Sequence, residues 1–192
     1  MTPTPLFVRF CALGAPAFLF LYGVLRWIDG ADGDHGPGVA WNVGHTLFFV
    51  AFVLLGILAA GAPRLVPSLA PRQRALAGVA AVGALSGAAC FLWVTLGDLF
   101  PGIRDRAPLP GTLETAGPLL FQIGALTLLI QLAVGRRLPA SSPVLVFLGF
   151  LAIGVNLDLL PLGAALIGVG LAPVATSGAP GRVIAPPRTG AP

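Results

Sequence analysis

The sequence predicts an all-α fold: a polytopic bundle of transmembrane helices with five spans, the last of them long and kinked at a proline. Two observations carry this prediction. Of the 192 residues, 56% are hydrophobic and only 9% are charged. The apolar residues also come in blocks near the roughly 20 residues that a helix needs to cross a bilayer. We therefore expect an integral membrane protein whose first partner is the lipid bilayer.

The first four blocks each match one spanning helix in length. They run from about Pro5 to Arg26, Ala40 to Gly61, Ala75 to Phe100, and about Thr115 to Val134. Arg9 lies inside the start of the first block instead of ahead of it, so this block is expected to be an uncleaved span and not a secretory signal. In the third block, Gly83 and Gly87 form a small-xxx-small pattern, which predicts close packing against a neighbouring helix.

The fifth block, Pro143 to about Pro173, is too long for one straight span and too short for two full ones. Either it is one helix kinked at Pro161, or it is two half-length helices folded back at Asn156 to Pro161, which would give six. The kinked helix is the favoured interpretation. Residues 1–174 then form the bundle. The remainder, 175–192, is rich in proline and glycine and is expected to be disordered.

Charges in the connections predict the orientation. The connections Ala62 to Arg74 and Gly135 to Ser142 carry arginines and no acid, whereas Trp27 to Val39 is acidic. By the positive-inside rule the first two are cytoplasmic, so the amino terminus of this cell-membrane protein is expected to be cytoplasmic too. Five spans would leave Arg182 and Arg188 of the tail outside, against the rule. Folding the last block back would remove that conflict.

Polar residues within the apolar blocks predict a binding site. Asp158 is the most informative of them, because a carboxylate inside a span is costly and is functional by default. Counted along the helices, polar groups of the second to fifth blocks gather at one level beneath the outer surface. This indicates a single outward-opening polar pocket that binds a substrate or ion. The candidate residues are Asp158, Asn156, His45, Asn42, Gln122, Asp98 and Trp93.

A structural role is an open alternative for several of these residues. Asn156 and Asp158 could cap a helix broken at Pro161. His45 could be a hydrogen-bonded packing histidine, and Asp98 could be an interfacial acid at a helix end, paired with Arg104 or Arg106.

No cofactor and no metal are predicted. Only two histidines occur, and His35 lies in a loop, so a bis-histidine haem is not expected. The acidic loop with Asp29, Asp32 and Asp34 could gather oxygens around a divalent cation. It lacks the spacing and distal glutamate of an EF-hand, however, so a solvated loop is the favoured interpretation.

Composition and motifs narrow the function without fixing it. The net charge of +4 forms no basic stripe, so nucleic acid is not an expected partner. Familiar enzyme signatures are absent. Three hypotheses remain. The first is a module that binds or moves a small solute, cation or proton and acts as a homo-oligomer or with a partner membrane subunit. The second is a membrane enzyme acting on a lipid or isoprenoid, and the third is a non-catalytic accessory subunit. The first is favoured, because an aromatic content of 8% is low for an isoprenoid cavity.

Three runs of sequence carry a resemblance. They are Asp-Gly-Asp-His-Gly-Pro-Gly, Trp-Asn-Val-Gly-His and Asn-Leu-Asp-Leu-Leu-Pro. With the arginine-only, alanine-, glycine- and proline-rich composition, they resemble small multi-pass membrane proteins of high-GC actinobacteria. The resemblance covers most of the chain and carries over no residue role.

Overall fold

A computed structural model describes residues 6–33, 35–65 and 70–176, without the side chain of Asp32. Within these residues the chain is helical and forms no strand. Five helical stretches are long and apolar enough to cross a membrane: Leu6–Asp29, Val39–Leu65, Pro71–Leu99, Gly111–Val134 and Leu157–Thr176. The predicted all-α membrane bundle is confirmed, and the protein is an integral membrane protein.

The described residues form seven α-helices. These are α1 (Leu6–Asp29), α2 (Val39–Gly61), α3 (Pro71–Leu99), α4 (Pro101–Arg106), α5 (Gly111–Val134), α6 (Ser141–Val155) and α7 (Leu160–Thr176). Short 3₁₀ turns follow α1 and α2, and a third, Leu157–Leu159, joins α6 to α7. The four predicted full-length spans correspond to α1, α2, α3 and α5.

The six long helices pack side by side in a ring. Following the contacts, the order is α5, α3, α2, α1, α7 and α6, and the ring closes where α6 meets α5. That last contact is by far the loosest of the six. Neighbours in the ring run antiparallel, because short connections join most of them. The result is a ring of six helices with one loosely packed contact, between α5 and α6, which we name the seam.

Small residues let the tightest helix pair approach closely. A Cβ added to Gly87 of α3 would collide with the carbonyl oxygen of Gly117 and the amide of Phe121 on α5. About two turns beyond Gly117 on α5, Gly124 is just as tightly packed against Ala80 and Ala84 of α3. Close packing at Gly87 was predicted and is confirmed. Dispersion between backbones is the main attraction available in lipid, where apolar side chains gain little from burial.

The last apolar block folds back on itself, so the favoured single kinked helix is wrong. Asn156 adopts an extended conformation, φ −154° and ψ 124°, and ends α6. Beyond it α7 returns along α6, with Gly149 packed against Gly163. Pro161 is the second residue of α7, where its missing N–H costs no hydrogen bond. The proline thus starts a helix instead of kinking one, as the two-helix alternative predicts.

Charge is segregated between the two ends of the bundle. At the end where α1 begins, the described ionisable residues are all arginines: Arg9, Arg64, Arg72, Arg74, Arg136 and Arg137. We name this the arginine end. The opposite, acidic end carries every acid that the structure describes, with Arg26, Arg104 and Arg106.

Because α6 and α7 fold back, α7 ends at Thr176 on the arginine end, where α1 begins. The segment predicted as disordered begins at 175, but Ala175 and Thr176 belong to α7, and Ala175 is buried. The rest of that segment, with Arg182 and Arg188, lies outside the described residues.

Candidate functional site

The structure divides the seven predicted site residues into separate groups. His45, Asp98 and Trp93 belong to a network at the acidic end. Gln122 and Asn156 line a cavity in the centre of the ring. Asp158 and Asn42 are exposed. The residues therefore do not converge on a single pocket.

His45 and Asp98 form the centre of the acidic-end network. His45 is 6% exposed, and its Nδ1 lies 2.9 Å from the carbonyl oxygen of Trp41. Since a carbonyl only accepts, Nδ1–H is the donor in this contact. Nε2 of His45 lies 3.6 Å from Oδ2 of Asp98, while Oδ1 of Asp98 accepts a charge-assisted hydrogen bond from Arg104. The structure thus shows the pairing with Arg104 that the helix-end interpretation of Asp98 predicts.

Aromatic rings complete this network. Tyr22 from α1 meets the His45 ring edge to face at 5.3 Å, and Trp41 lies 4.0 Å from it between centroids. Nε1 of Trp93 donates to the carbonyl oxygen of Ala107 at 3.0 Å and holds the connection after α4. The network fastens the acidic ends of α1 to α4 together, and its polar groups are largely satisfied by one another.

Asp158 lies in the turn between α6 and α7, not in the interior of a span. Its backbone N–H donates to Oδ1 of Asn156 at 2.9 Å, and its carbonyl oxygen accepts from Nε1 of Trp27 at 3.0 Å. The carboxylate is exposed. The expectation of a carboxylate buried along the helix is corrected, because the fold-back brings this residue to the surface. Asn156 acts as the helix cap foreseen by the structural alternative.

A cavity of about 440 Å³ lies at the centre of the ring; we name it the central chamber. Its wall is contributed by α1, α2, α3, α5, α6 and the start of α7. The lining residues are Leu19, Phe48, Phe52, Phe91, Pro118, Phe121, Gln122, Phe150, Ile153, Gly154, Val155, Asn156, Leu157 and Leu160. The wall is mostly apolar, and no ionisable side chain is among these residues.

Two amides supply the polar groups of the central chamber. The side chain of Gln122 makes no hydrogen bond to any residue that the structure describes. Asn156 uses Oδ1 to cap the following turn, which leaves its NH₂ group without a partner in the described chain. Gln122 is half-buried and Asn156 is exposed, so both amides are accessible to a molecule in the chamber. These groups are suited to bind something that enters the chamber.

Phe121 and Phe150 form the floor of the central chamber. Their rings meet nearly at right angles, 76°, with centroids 5.4 Å apart. Beyond them, toward the arginine end, is a smaller cavity of about 40 Å³ lined by leucine, alanine and valine together with the same two rings. The polar groups therefore lie at one side of the chamber and a purely apolar region at the other.

A second cavity of about 360 Å³, which we name the vestibule, lies at the acidic end between α3 and α5. Asp98, Arg104 and Glu114 contribute charge to its wall, and Trp93 contributes an aromatic side. Phe91 and Pro118 line both the vestibule and the chamber. These two side chains separate the vestibule, which contains Asp98 and Trp93 of the predicted polar site, from the apolar central chamber.

Within the described residues, no group of three or more histidine, cysteine, aspartate or glutamate residues could hold a metal ion. Oδ2 of Asp29 is buried without a hydrogen-bond partner in that part of the chain. The side chain of Asp32 and the whole of Asp34 lie outside the description. That the acidic loop is a solvated segment therefore stays a prediction.

The phenylalanines of the chamber wall were not singled out from the sequence. Phe48 and Phe52 stack on one another from adjacent turns of α2, and Phe91, Phe121 and Phe150 extend the contact across three further helices. The i, i+4 spacing on α2 was a usable signal. The aromatic content of the whole chain does not show this cluster, because it is an average, whereas five of the twelve phenylalanines lie in this one wall.

Compared with known proteins, the chain matches no family model, no curated protein and no solved structure. The function must therefore be argued from the geometry of these two cavities.

Replacing Asp98 by asparagine is expected to destabilise the acidic end. The change removes the charge that Arg104 and His45 face, at a site that is three-quarters buried. We expect a loss of about 1 kcal/mol, seen as a lower midpoint of thermal unfolding in detergent. Asp105→Asn, at an exposed position of α4, is the matched control and should leave the midpoint unchanged. Equal midpoints for the two variants would contradict this role of Asp98.

Proposed function

We propose that this integral membrane protein binds a small amphipathic molecule, with an apolar body and a polar head, in the central chamber. One observation carries the proposal: a largely apolar cavity of about 440 Å³ is lined by two amides that keep groups free of partners in the described chain, the whole amide of Gln122 and the NH₂ group of Asn156. The volume falls in the range typical of small-molecule sites. The combination of a largely apolar wall with a few placed polar groups is also typical of such sites.

Binding fits the chamber better than movement of a cation or proton. The charged residues predicted for a polar pocket, Asp98 and His45, face Arg104 and the Trp41 carbonyl. No ionisable side chain lines the chamber, so a cation there would be desolvated without a counter-charge. The geometry thus supports the binding half of the first sequence-based hypothesis and favours a weakly polar ligand over an ion.

The same chamber gives little support to the enzyme hypothesis. General acid–base chemistry needs a titratable group within hydrogen-bond reach of the reacting atom. Gln122 and Asn156 are amides and carry out no proton transfer at neutral pH. We therefore propose a binding protein, such as a carrier or an accessory subunit that presents a ligand, in place of a lipid-modifying enzyme.

We further propose that the protein lies in the cell membrane with its arginine end in the cytoplasm. The support is the complete separation of described acids from the arginines of the opposite end, which follows the positive-inside rule. An alkaline phosphatase domain inserted in the connection after Gly38 should be active, and one fused after Thr176 inactive. A fluorescent protein fused after Thr176 should fold and emit. The reverse pattern would overturn the orientation.

The proposed binding is tested by obstructing the chamber. Gly154 lines it, and a Cβ added there meets no other atom within 4 Å, so Gly154→Leu adds bulk at the chamber without a backbone clash. Native mass spectrometry of gently extracted wild type should show an apolar adduct that Gly154→Leu loses. Gly78→Leu is the matched control, because Gly78 also has open space around it and lies outside the chamber wall. An adduct retained by all three proteins would count against the chamber as the site.

A further inference from the structure

We infer that the ligand of the central chamber is a lipid-soluble molecule with an uncharged hydroxyl or carbonyl head, and that it enters sideways from the bilayer between α5 and α6. This inference rests on the proposed binding function and adds to it the chemical class of the ligand and its route. Three observations carry it: the loose contact between α5 and α6, the depth of Gln122, and a chamber wall without an ionisable side chain.

The seam between α5 and α6 gives the chamber a mouth. These two helices make the loosest contact between neighbours in the ring. On the α6 side of the seam, Gly154, Val155 and Leu157 line the chamber and are exposed, Val155 by 74%. On the α5 side, Gln122 lines the chamber and its neighbour Ile123 is exposed. The chamber is thus lined by exposed residues along the loosest helix contact, which is the route of entry that we infer.

The mouth extends from the depth of hydrocarbon toward the acidic end. Measured along α5 from Val134, Gln122 is roughly 18 Å from the arginine end, which falls within a hydrocarbon core of about 30 Å. Asn156 lies nearer the acidic end, because Asp158 of the same turn accepts a hydrogen bond from Trp27, close to the end of α1. Large apolar side chains flank the opening on the outside, including Leu119 and Ile123 of α5. A molecule reaching this mouth comes from the lipid phase, which excludes strongly hydrated solutes.

The chemistry of the two amides selects the head of the ligand. Gln122 offers both a donor and an acceptor, whereas Asn156 offers only its NH₂ group because its Oδ1 is already used. A hydroxyl can donate to Gln122 and accept from Asn156, and a carbonyl oxygen can accept from both. No ionisable side chain lines the chamber, and the exposed side chain of Asp158 in the turn after Asn156 is not part of its wall, so a carboxylate or an ammonium inside would lack a partner of opposite charge.

The body of the ligand then points away from the amides. Phe52, Phe121 and Phe150 form the wall opposite to them and the floor, and the small apolar cavity continues beyond the floor. Aromatic faces suit an aliphatic chain, a prenyl chain or a ring without demanding a specific geometry. The head is thereby recognised by hydrogen bonds and the body by apolar contact.

The class of ligand is tested with three probes of equal chain length: decan-1-ol, decanoate and decyltrimethylammonium. Each is titrated into purified protein in lipid nanodiscs, and binding is followed by native mass spectrometry and by the midpoint of thermal unfolding. Decan-1-ol should bind at least about tenfold more tightly than either charged probe, because both charges would be desolvated. Gln122→Leu should weaken decan-1-ol binding by about tenfold, the loss of one hydrogen bond to a half-buried amide. Gln131→Leu, further along the same helix and outside the chamber wall, should not change it.

The route is tested by narrowing the mouth. Val155→Trp places a large side chain at the seam and should slow the association of decan-1-ol several-fold, measured by stopped-flow mixing of protein nanodiscs with vesicles that carry the probe. Val169→Trp is the matched control, since Val169 of α7 is 62% exposed and lies away from the chamber. Equal association rates for the two variants would overturn the lateral route.

The outcomes separate the inference from the proposed function. If a charged probe binds as tightly as decan-1-ol and competes with it at Gln122, the chamber binds ligands but the inferred class is wrong. If none of the probes binds, yet wild type still carries the adduct that Gly154→Leu loses, the class is again wrong and the binding function stands. If no probe binds and no adduct depends on Gly154, the proposed function fails with the inference.

Discussion

The extended backbone at Asn156 is the constraint on which the rest of the structure depends. One residue outside the helical region ends α6, and its own Oδ1 accepts the N–H of Asp158 to begin the return. Pro161 then fixes the start of α7. Without this break the last block would leave the bundle as a single rod. With it, α6 and α7 form a packed pair, both described ends of the chain lie at the arginine end, and α6 reaches the centre to wall the chamber.

The polar groups at the acidic end and those in the central chamber have different roles. At the acidic end, His45, Asp98 and Arg104 interact with one another and hold four helices together, so these polar groups stabilise the fold. In the central chamber, Gln122 and Asn156 retain groups without protein partners in an apolar wall. The polar residues of the bundle thus form two groups, and only Gln122 and Asn156 point to a ligand.

The sequence predicts the bundle because hydropathy and block length are local properties, and α1, α2, α3 and α5 follow from them directly. Its polar candidates stay predictions as site residues, and the structure places them in separate groups and not in one pocket. Asp158 was taken as buried since depth was counted along one continuous helix, and the extended conformation of Asn156 is invisible to such counting. The chamber itself depends on which helices are neighbours in the ring. Gln122 and Asn156 come from different helices, and only tertiary packing brings their amides to one cavity.

The most direct test of this account is the distance between the two far ends of the last hairpin. Spin labels at Ser141 and Thr176, both exposed, would be placed in a variant with Cys11 and Cys90 replaced by alanine, and their separation measured by double electron–electron resonance. Antiparallel helices packed about 8–10 Å apart predict a separation below about 30 Å including the label arms. A single helix kinked at Pro161 would separate the labels by about 45–50 Å, and that result would contradict the fold-back, the chamber wall and the binding site built on it.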